Sequence, residues 1–473
     1  MLFNSLEFAV FLLVVYTLYW VLRERRLQNN LLWIVSYIFY AWWDWRFLFL
    51  LMLSTLIDYG FGLWIYNSQH RKKLFLWLSI FNNLAVLFFF KYFNFFSDSA
   101  RILLDSVGVH MNPVVLEVLL PVGISFYTFH GMSYVIDIYR GQCTPIKSFV
   151  DYSLFVSFFP LLVAGPIERA THLLPQITRD RKFNYTQSVD GLRLILWGLF
   201  KKVVIADNCA LVVNQVFTNY ETATGAELMV GTVFFAFQIY GDFSGYSDIA
   251  IGTAKLFGIE LLVNFRTPYF ARDIAEFWRR WHISLTTWFR DYIYIPLGGS
   301  KVNRMKAVRN TMLVFLISGF WHGANWTFIV WGALNGLYFL PLLLTGNNRR
   351  NTDTIAAGRL LPSPREFFQV VMTFSLTCFA WIFFRAENMT QAIGYVQGIF
   401  THPFWGMHVA KIDIRLVGIL GLFVVLEWLF RNGLPEFLQR MHTVTRFALY
   451  YGLALLVILL GAFGSEDFIY FQF

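Results

Sequence analysis

Hydrophobic positions in this chain fall in long uncharged runs separated by short charged stretches. Residues 311–348 govern the pattern: they contain no Asp, Glu, Lys or Arg, and their one imidazole is His322, within Phe320-Trp321-His322-Gly323-Ala324-Asn325-Trp326. At about 1.5 Å per helical residue the run would reach about 57 Å, against a hydrocarbon core of about 30 Å. It is therefore expected to cross a membrane more than once. Gly319, Gly323 and Asn325 predict an interruption that leaves His322 at or below the membrane surface. A histidine there must face protein or a water-filled cavity.

The other runs predict a series of helices. Residues 6–22 read as a retained first helix despite Glu7, with no basic leader or small-residue cleavage site before it, and Arg23 to Arg26 as a cytoplasmic turn. Residues 31–43 and 47–64 read as two helices, the second carrying Asp58, and 74–90 as one short crossing. Residues 97–112 read as an interfacial connection. The run 118–136, broken at its start by Pro121 and Gly123 and carrying His130 beside Gly131, reads as a kinked helix or as one that lines something. Two prolines in 152–167 predict a re-entrant or interfacial element, followed by a polar cytoplasmic segment at 168–184.

Further along, 192–220 is cut by Lys201, Lys202 and Asp207. Residues 228–240 and 249–263 bracket Gly241 to Asp248, which reads either as a break at a cavity or as an ordinary helix-helix loop. Residues 367–384 form a crossing ending at Arg385; a mixed region with His402, Pro403 and His408 precedes the last apolar runs at 416–426 and 447–465. The fold class is an all-α polytopic membrane protein with roughly eleven to thirteen membrane elements, some partial. No fixed-period repeat points to an inverted-repeat transporter.

Residues 266–309 are the least membrane-like long segment. They are basic, and apolar positions 274, 277, 278, 281, 285, 288 and 289 recur at helical spacing, so 273–290 is expected to be one amphipathic interfacial helix carrying His282. Its basic aromatic face would also suit lipid headgroups.

Composition sharpens this picture. A chain of 473 residues that is 57% hydrophobic and 14% charged, with mean hydropathy +0.53, excludes an ordinary soluble protein. Aromatic residues at 20% suit lipid-facing surfaces and interfacial belts. The net charge of +9 fits basic cytoplasmic loops rather than nucleic-acid binding, because the basic residues punctuate apolar runs. Cys143, Cys209 and Cys378 match no metal or disulfide spacing, and no metal site is expected.

By residue chemistry alone His322 is a general base, a structural histidine, or part of a proton or substrate path. As a base it would take a proton from a hydroxyl while that oxygen attacks an acyl carbonyl.

The motifs then carry a resemblance. Arg279-Arg280-Trp281-His282-Ile283-Ser284-Leu285, followed by Trp321-His322-Gly323, resembles the signature of the membrane-bound O-acyltransferases (MBOAT), in the bacterial branch of alginate O-acetylation proteins. Pro121 to Phe129, Ala164-Gly165-Pro166-Ile167 and Asp291 to Gly299 are similar to the same branch, so the motif-bearing core runs over 121–332.

The resemblance implies one integral membrane domain over 1–473, an MBOAT-like helical bundle around a central funnel or tunnel. It implies that His322 is the catalytic histidine and His282 a second catalytic or tunnel-shaping one. No permanent cofactor is implied; acetyl-coenzyme A is the expected donor, steered by Arg279, Arg280 and Arg290 of the 266–309 belt. Trp321, Asn325 and Asp242 are expected near the tunnel. The C-terminal motif at 466–473 resembles one in which a tyrosine, here Tyr470, accepts the acyl group. Expected partners are a periplasmic SGNH-type O-acetyltransferase, a polysaccharide synthesis and secretion complex, and membrane lipid; the location is a bacterial inner membrane. A transporter or flippase using His322, Asp242 and Asp248, and a noncatalytic scaffold of a polysaccharide secretion complex, are the alternatives.

Overall fold

Backbone amides in hydrocarbon find no partner except within their own helix, which is why long uncharged runs fold helically. The computed structural model describes residues 1–110, 115–116, 119–162, 165–406, 409, 413–464 and 468–469, and among them it is all-α. Five of its helical runs are long and apolar enough to cross a membrane: Phe47–Asn67, Lys72–Ser106, Trp326–Leu344, Pro364–Arg385 and Thr443–Leu460. Their outer faces stay apolar, as Tyr451, Leu455, Ile458 and Leu459 show on the last of them. The protein is a multi-pass membrane protein. It divides into two compact units, Met1–Leu192 with Ala250–Leu262, and Arg193–Ile249 with Val263–Phe473.

The first unit contains α1 (Leu6–Val21), α2 (Arg25–Ala41), α3 (Phe47–Asn67), α4 (Lys72–Leu87), α5 (Phe93–Ser106), α6 (Ile124–Tyr139), and the short α7 (Phe149–Ser157), α8 (Phe159–Leu162) and α9 (Ala170–Thr178). Four expectations are corrected here. Arg25 and Arg26 begin α2 rather than forming a turn, with Arg25 bonded to the Thr178 carbonyl. Residues 93–106 continue α4 through a π turn at Phe88–Tyr92, and Arg101 and Asp105 pair along the helix at 3.4 Å, so polarity there marks a solvated face, not a connection. The 118–136 run is not kinked: α6 starts after Gly123, whose φ of 74° and closeness to the Leu162 carbonyl, 2.2 Å from an ideal Cβ, admit glycine alone. The prolines of 152–167 do prevent a regular crossing, but α7 and α8 are buried, held by Tyr37 and Trp33 on Ser153 and by Ser36 on the Phe159 amide.

Two polar residues of this unit have structural partners. Asp58 accepts from Ser79 and Asn83, both at 2.8 Å, and lies so close to Gly131 that a Cβ there would stand 2.0 Å from its carboxylate. His130 accepts from the Glu168 amide at 3.1 Å, and the Glu168 carboxylate bonds His172 at 2.7 Å and the Leu262 amide at 2.6 Å. His130 thus forms a helix-to-loop clasp.

The second unit contains the end of α10 (Tyr185–Leu199), a π turn at Phe200–Ala206, α11 (Asp207–Thr218), most of α12 (Gly225–Leu256), α13 (Ile274–Arg280), α14 (Ile283–Phe289), α15 (Arg304–His322), α16 (Trp326–Leu344), α17 (Pro364–Arg385), α18 (Met389–Thr401), α19 (Ile414–Leu429), α20 (Leu434–Arg440) and α21 (Thr443–Leu460). Helix α12 runs unbroken through Gly241 to Asp248, against both readings of that stretch. Its glycines serve packing: a Cβ on Gly245 would stand 2.7 Å from the Gly198 carbonyl, and one on Gly241 2.8 Å from that of Lys201. Its acids are neutralised, Asp248 by Lys201 at 2.6 Å and Asp242 by Lys202 at 2.8 Å.

The 311–348 run forms the expected hairpin. Gly319 lies inside α15 rather than at the interruption, and its job is contact: a Cβ would meet the Phe328 carbonyl at 2.3 Å, as one on Gly332 would meet that of Phe315 at 2.4 Å.

Two predictions follow from these contacts. Gly319→Val forces α15 and α16 apart and lowers stability by about 1–3 kcal/mol, the usual cost of overpacking, read as a fall in the thermal midpoint in detergent. The hydrogen bond from Glu168 holds the half-exposed His172 above its ordinary histidine value. A raised folded value means stability that is present below the unfolded pKa and lost as pH rises through the folded one. The midpoint is therefore expected to decline through and above the ordinary histidine range, and His172→Asn to flatten that limb.

Candidate active site

His322 is the last residue of α15, and the chain leaves the helix there because Gly323 takes an extended conformation that seats it against Phe328. Asn325 then opens α16: its Oδ1 accepts from the Thr327 amide at 3.1 Å, and its Nδ2 donates to the Glu387 carbonyl at 2.7 Å. The hairpin turn is thus capped and pinned by the residue expected to line a tunnel. The His322 ring is 3% exposed and lies among Trp321, Trp331 and Phe384, with ring centroids at 4.8, 5.0 and 5.3 Å.

The single amphipathic helix expected over 273–290 is two helices. They break at His282, whose φ of 42° and ψ of 54° lie in the left-handed region. A non-glycine residue held there is strained, and such strain gathers at functional positions. Asn264 over-determines the break. Its carbonyl accepts from the Ile283 amide at 2.9 Å, its Oδ1 accepts from Ser284 at 2.6 Å, and its Nδ2 donates to Ser247 on α12 at 2.8 Å. The fixed turn aims the His282 ring, 1% exposed, between Phe243 at 4.6 Å and Trp321 at 6.2 Å. Neither of its ring nitrogens has a hydrogen-bond partner among the described residues. The two histidines, forty residues apart in sequence, therefore flank one indole, that of Trp321.

The arginines divide into two groups. Glu276, 1% exposed, binds Arg272 at 3.0 Å and Arg280 at 2.8 Å, and Arg272 reaches Asp353 at 2.9 Å. Burial pulls Arg272 down, yet the bonds to Glu276 and Asp353 leave it above the ordinary arginine value, and the same contact holds Asp353 below its ordinary carboxylate value. Arg280 is thus committed to a carboxylate. Arg279 donates to the carbonyls of Asn348 and Asn351 at 2.7 and 2.8 Å, and Arg290 forms an exposed pair with Asp291. Both border a cavity of about 710 Å³ between α13, α14, α15 and α16, together with Arg304 and Arg349. The cavity's inner lining reaches Ser318, one turn before His322, and Trp278, whose ring touches Trp331 at 5.8 Å. His322 lies one aromatic layer beyond it.

Asp242 is buried on α12, where it meets Lys202 and the Ile469 amide. Tyr470 lies outside the described residues, as do Ala164, His408 and all of the 466–473 motif except Phe468 and Ile469. Sequence reasoning missed Trp331, Phe384, Asn264 and Glu276. Glu276 stands four residues from both Arg272 and Arg280, a helical spacing that could have found it; the others have no local signal.

The chain belongs to the membrane-bound O-acyltransferase family, whose model matches residues 37–384 and so includes both histidines. It is a membrane-bound acyltransferase. It is 40% identical to a probable alginate O-acetylase of Pseudomonas aeruginosa, over 86% of this chain and 76% of that one. It is 36% identical to a peptidoglycan O-acetyltransferase of Helicobacter pylori, over 84% and 80%. A teichoic acid D-alanyltransferase of Bacillus subtilis shares 28% identity over 56% of this chain and 68% of its own.

Glu276→Gln removes the carboxylate that two guanidinium groups share in a buried setting. Breaking such a pair costs about 3–5 kcal/mol. The variant is expected to lose most of its thermal stability in detergent, whereas Arg290→Gln, at an exposed pair, leaves the midpoint unchanged.

Proposed function

We propose that the protein moves acetyl groups from cytoplasmic acetyl-coenzyme A across a bacterial inner membrane for O-acetylation of an exopolysaccharide, alginate or a similar polymer. The observation that carries this reading is the meeting of His322 and His282 at Trp321, one layer beyond an apolar cavity edged by arginines. A cavity of this size suits an acyl chain and its pantetheine arm, with guanidinium groups at the edge suited to phosphate. Arg279 and Arg290 stand at that edge and are the donor-steering residues; Arg280 holds the belt together through Glu276. Similarity to alginate and peptidoglycan O-acetylases favours an acetyl donor and a cell-surface polymer over the alanyl chemistry of the more distant relative.

In this reading Tyr470 is the acceptor. Its hydroxyl oxygen attacks the thioester carbonyl while His322 removes the phenolic proton; the carbon–sulfur bond breaks, and the proton passes to the departing thiolate. His282, whose ring nitrogens have no hydrogen-bond partner among the described residues, assists by donating to the carbonyl oxygen as it gains charge. The phenyl ester is an activated product, because phenolate, with a pKa near about 10, leaves more readily than an aliphatic alkoxide. A periplasmic SGNH-type O-acetyltransferase, working with the polymer's synthesis and secretion complex, takes the acetyl group from it. The basic belt and the Arg23 to Arg26 stretch face the cytoplasm, following the positive-inside tendency. A transport path through Asp242 and Asp248 is disfavoured because each is already paired with a lysine.

The test supplies labelled acetyl-coenzyme A to purified protein in lipid nanodiscs. His322→Ala is expected to lower covalent labelling about 10²–10⁴-fold, the range of a lost general base. Tyr470→Phe is expected to take up no label. Full transfer by the alanine variant removes His322 from catalysis, and label retained by the phenylalanine variant removes Tyr470 as carrier.

A further inference from the structure

The π turn at Phe200–Ala206 interrupts an otherwise continuous helix at the point where two lysines point inward. Such a turn widens the helix and releases backbone carbonyls from the i→i−4 ladder, and it recurs at functional sites. Here the release has a definite use. The Val203 carbonyl accepts from the Ala462 amide at 2.9 Å, just beyond the end of α21, and Asn208 donates to the Leu460 carbonyl at 3.0 Å. The chain after α21 is therefore stitched to the π turn before it reaches the C-terminal motif.

A second attachment follows. Lys202, with a side chain 1% exposed, contacts Asp207 at 2.6 Å and Asp242 at 2.8 Å, while Lys201 is taken by Asp248 at 2.6 Å. One ammonium thus serves two buried carboxylates, whose negative charge burial makes costly. The Ile469 amide donates to the second oxygen of Asp242 at 2.7 Å and offsets part of that charge. Phe468, fully buried, lies on Tyr246 at 4.4 Å and beside Phe243 at 6.1 Å, the ring that packs edge-on against His282. Tyr470 follows this anchored pair directly in the sequence.

We infer that Lys202 and Asp242 form a latch that seats Phe468 and Ile469 against α12, on the ring of Phe243 that packs against His282, making both of them positioning residues for acylation of Tyr470. The inference rests on the acyl-carrier reading above for its purpose, but not for its geometry. Asp242 acts through the Ile469 amide and touches no reacting atom. In Asp242→Asn the single amide oxygen can accept from either Lys202 or the Ile469 amide, and its NH₂ faces the other donor. Asp207→Asn removes the competing carboxylate and leaves the Ile469 contact intact.

The experiment uses the full chain in nanodiscs with Cys143→Ser and a reporter, Phe468→Cys, whose maleimide labelling is timed; Cys209 and Cys378 are buried and react slowly. Loss of one charge-assisted hydrogen bond corresponds to about tenfold in the seating equilibrium. In the otherwise native Phe468 background, Asp242→Asn is expected to slow labelling of Tyr470 by acetyl-coenzyme A about tenfold with the donor KM unchanged, and in the reporter chain to speed maleimide reaction by the same ratio. Asp207→Asn is expected to do neither. Unchanged maleimide rates in Asp242→Asn, or equal acceleration by Asp207→Asn, would overturn the latch. Should the parent chain carry no acetyl on Tyr470, the carrier reading fails, and the maleimide rates alone still decide whether the segment is seated by Asp242.

Discussion

A chain buried in hydrocarbon must satisfy its own polar groups, because lipid offers neither a hydrogen bond nor a counter-charge. That constraint accounts for the most informative features of this protein. Several helix starts in the second unit are closed by a side chain from the protein: Asn325 caps α16, Asp273 caps α13, and Asn303 caps α15. Several buried charges have an opposite. Lys201 meets Asp248, Lys202 meets two aspartates, and Glu276 serves two arginines. Polar residues that interrupt apolar runs in the sequence therefore act as fasteners more often than as breaks.

The site is built by the same constraint. His322 and His282 stand at helix ends, where backbone groups need partners and where glycine, asparagine and serine concentrate. Gly323 and Asn325 resolve the first end; Asn264 and Ser284 resolve the second. Trp321 packs against both imidazoles, and Trp331 and Phe384 add to the enclosure of His322. The position of the imidazoles depends on packing from α12, α15, α16 and α17 together.

The glycines show how closely that packing is set. Gly319 and Gly332 let α15 and α16 touch backbone to backbone, and Gly198 and Gly245 do the same for α10 and α12 within the second unit. Without a hydrophobic driving force between helices in lipid, such close approach is a main source of association energy. It also explains why helix α12 can carry Gly241, Asp242, Gly245 and Asp248 and still be continuous.

The sequence by itself determined the class: the uncharged runs, the hairpin of 311–348, the helix read over 47–64 and the pairing of Trp-His-Gly with the upstream Arg-Arg-Trp-His motif were all legible, because each depends on local composition or spacing. It misread the 241–248 stretch as an interruption, the 273–290 stretch as one helix and 97–112 as a connection, since whether a polar residue breaks a helix depends on the partner it finds. Tertiary structure alone decided those partners. Lys202 has a second buried carboxylate beside Asp207 only because α12 brings Asp242 to it, and His282 meets Trp321 only because Asn264 bends the chain toward α12. Contacts of this kind join residues with no periodicity between them, so no pattern along the chain could have announced them.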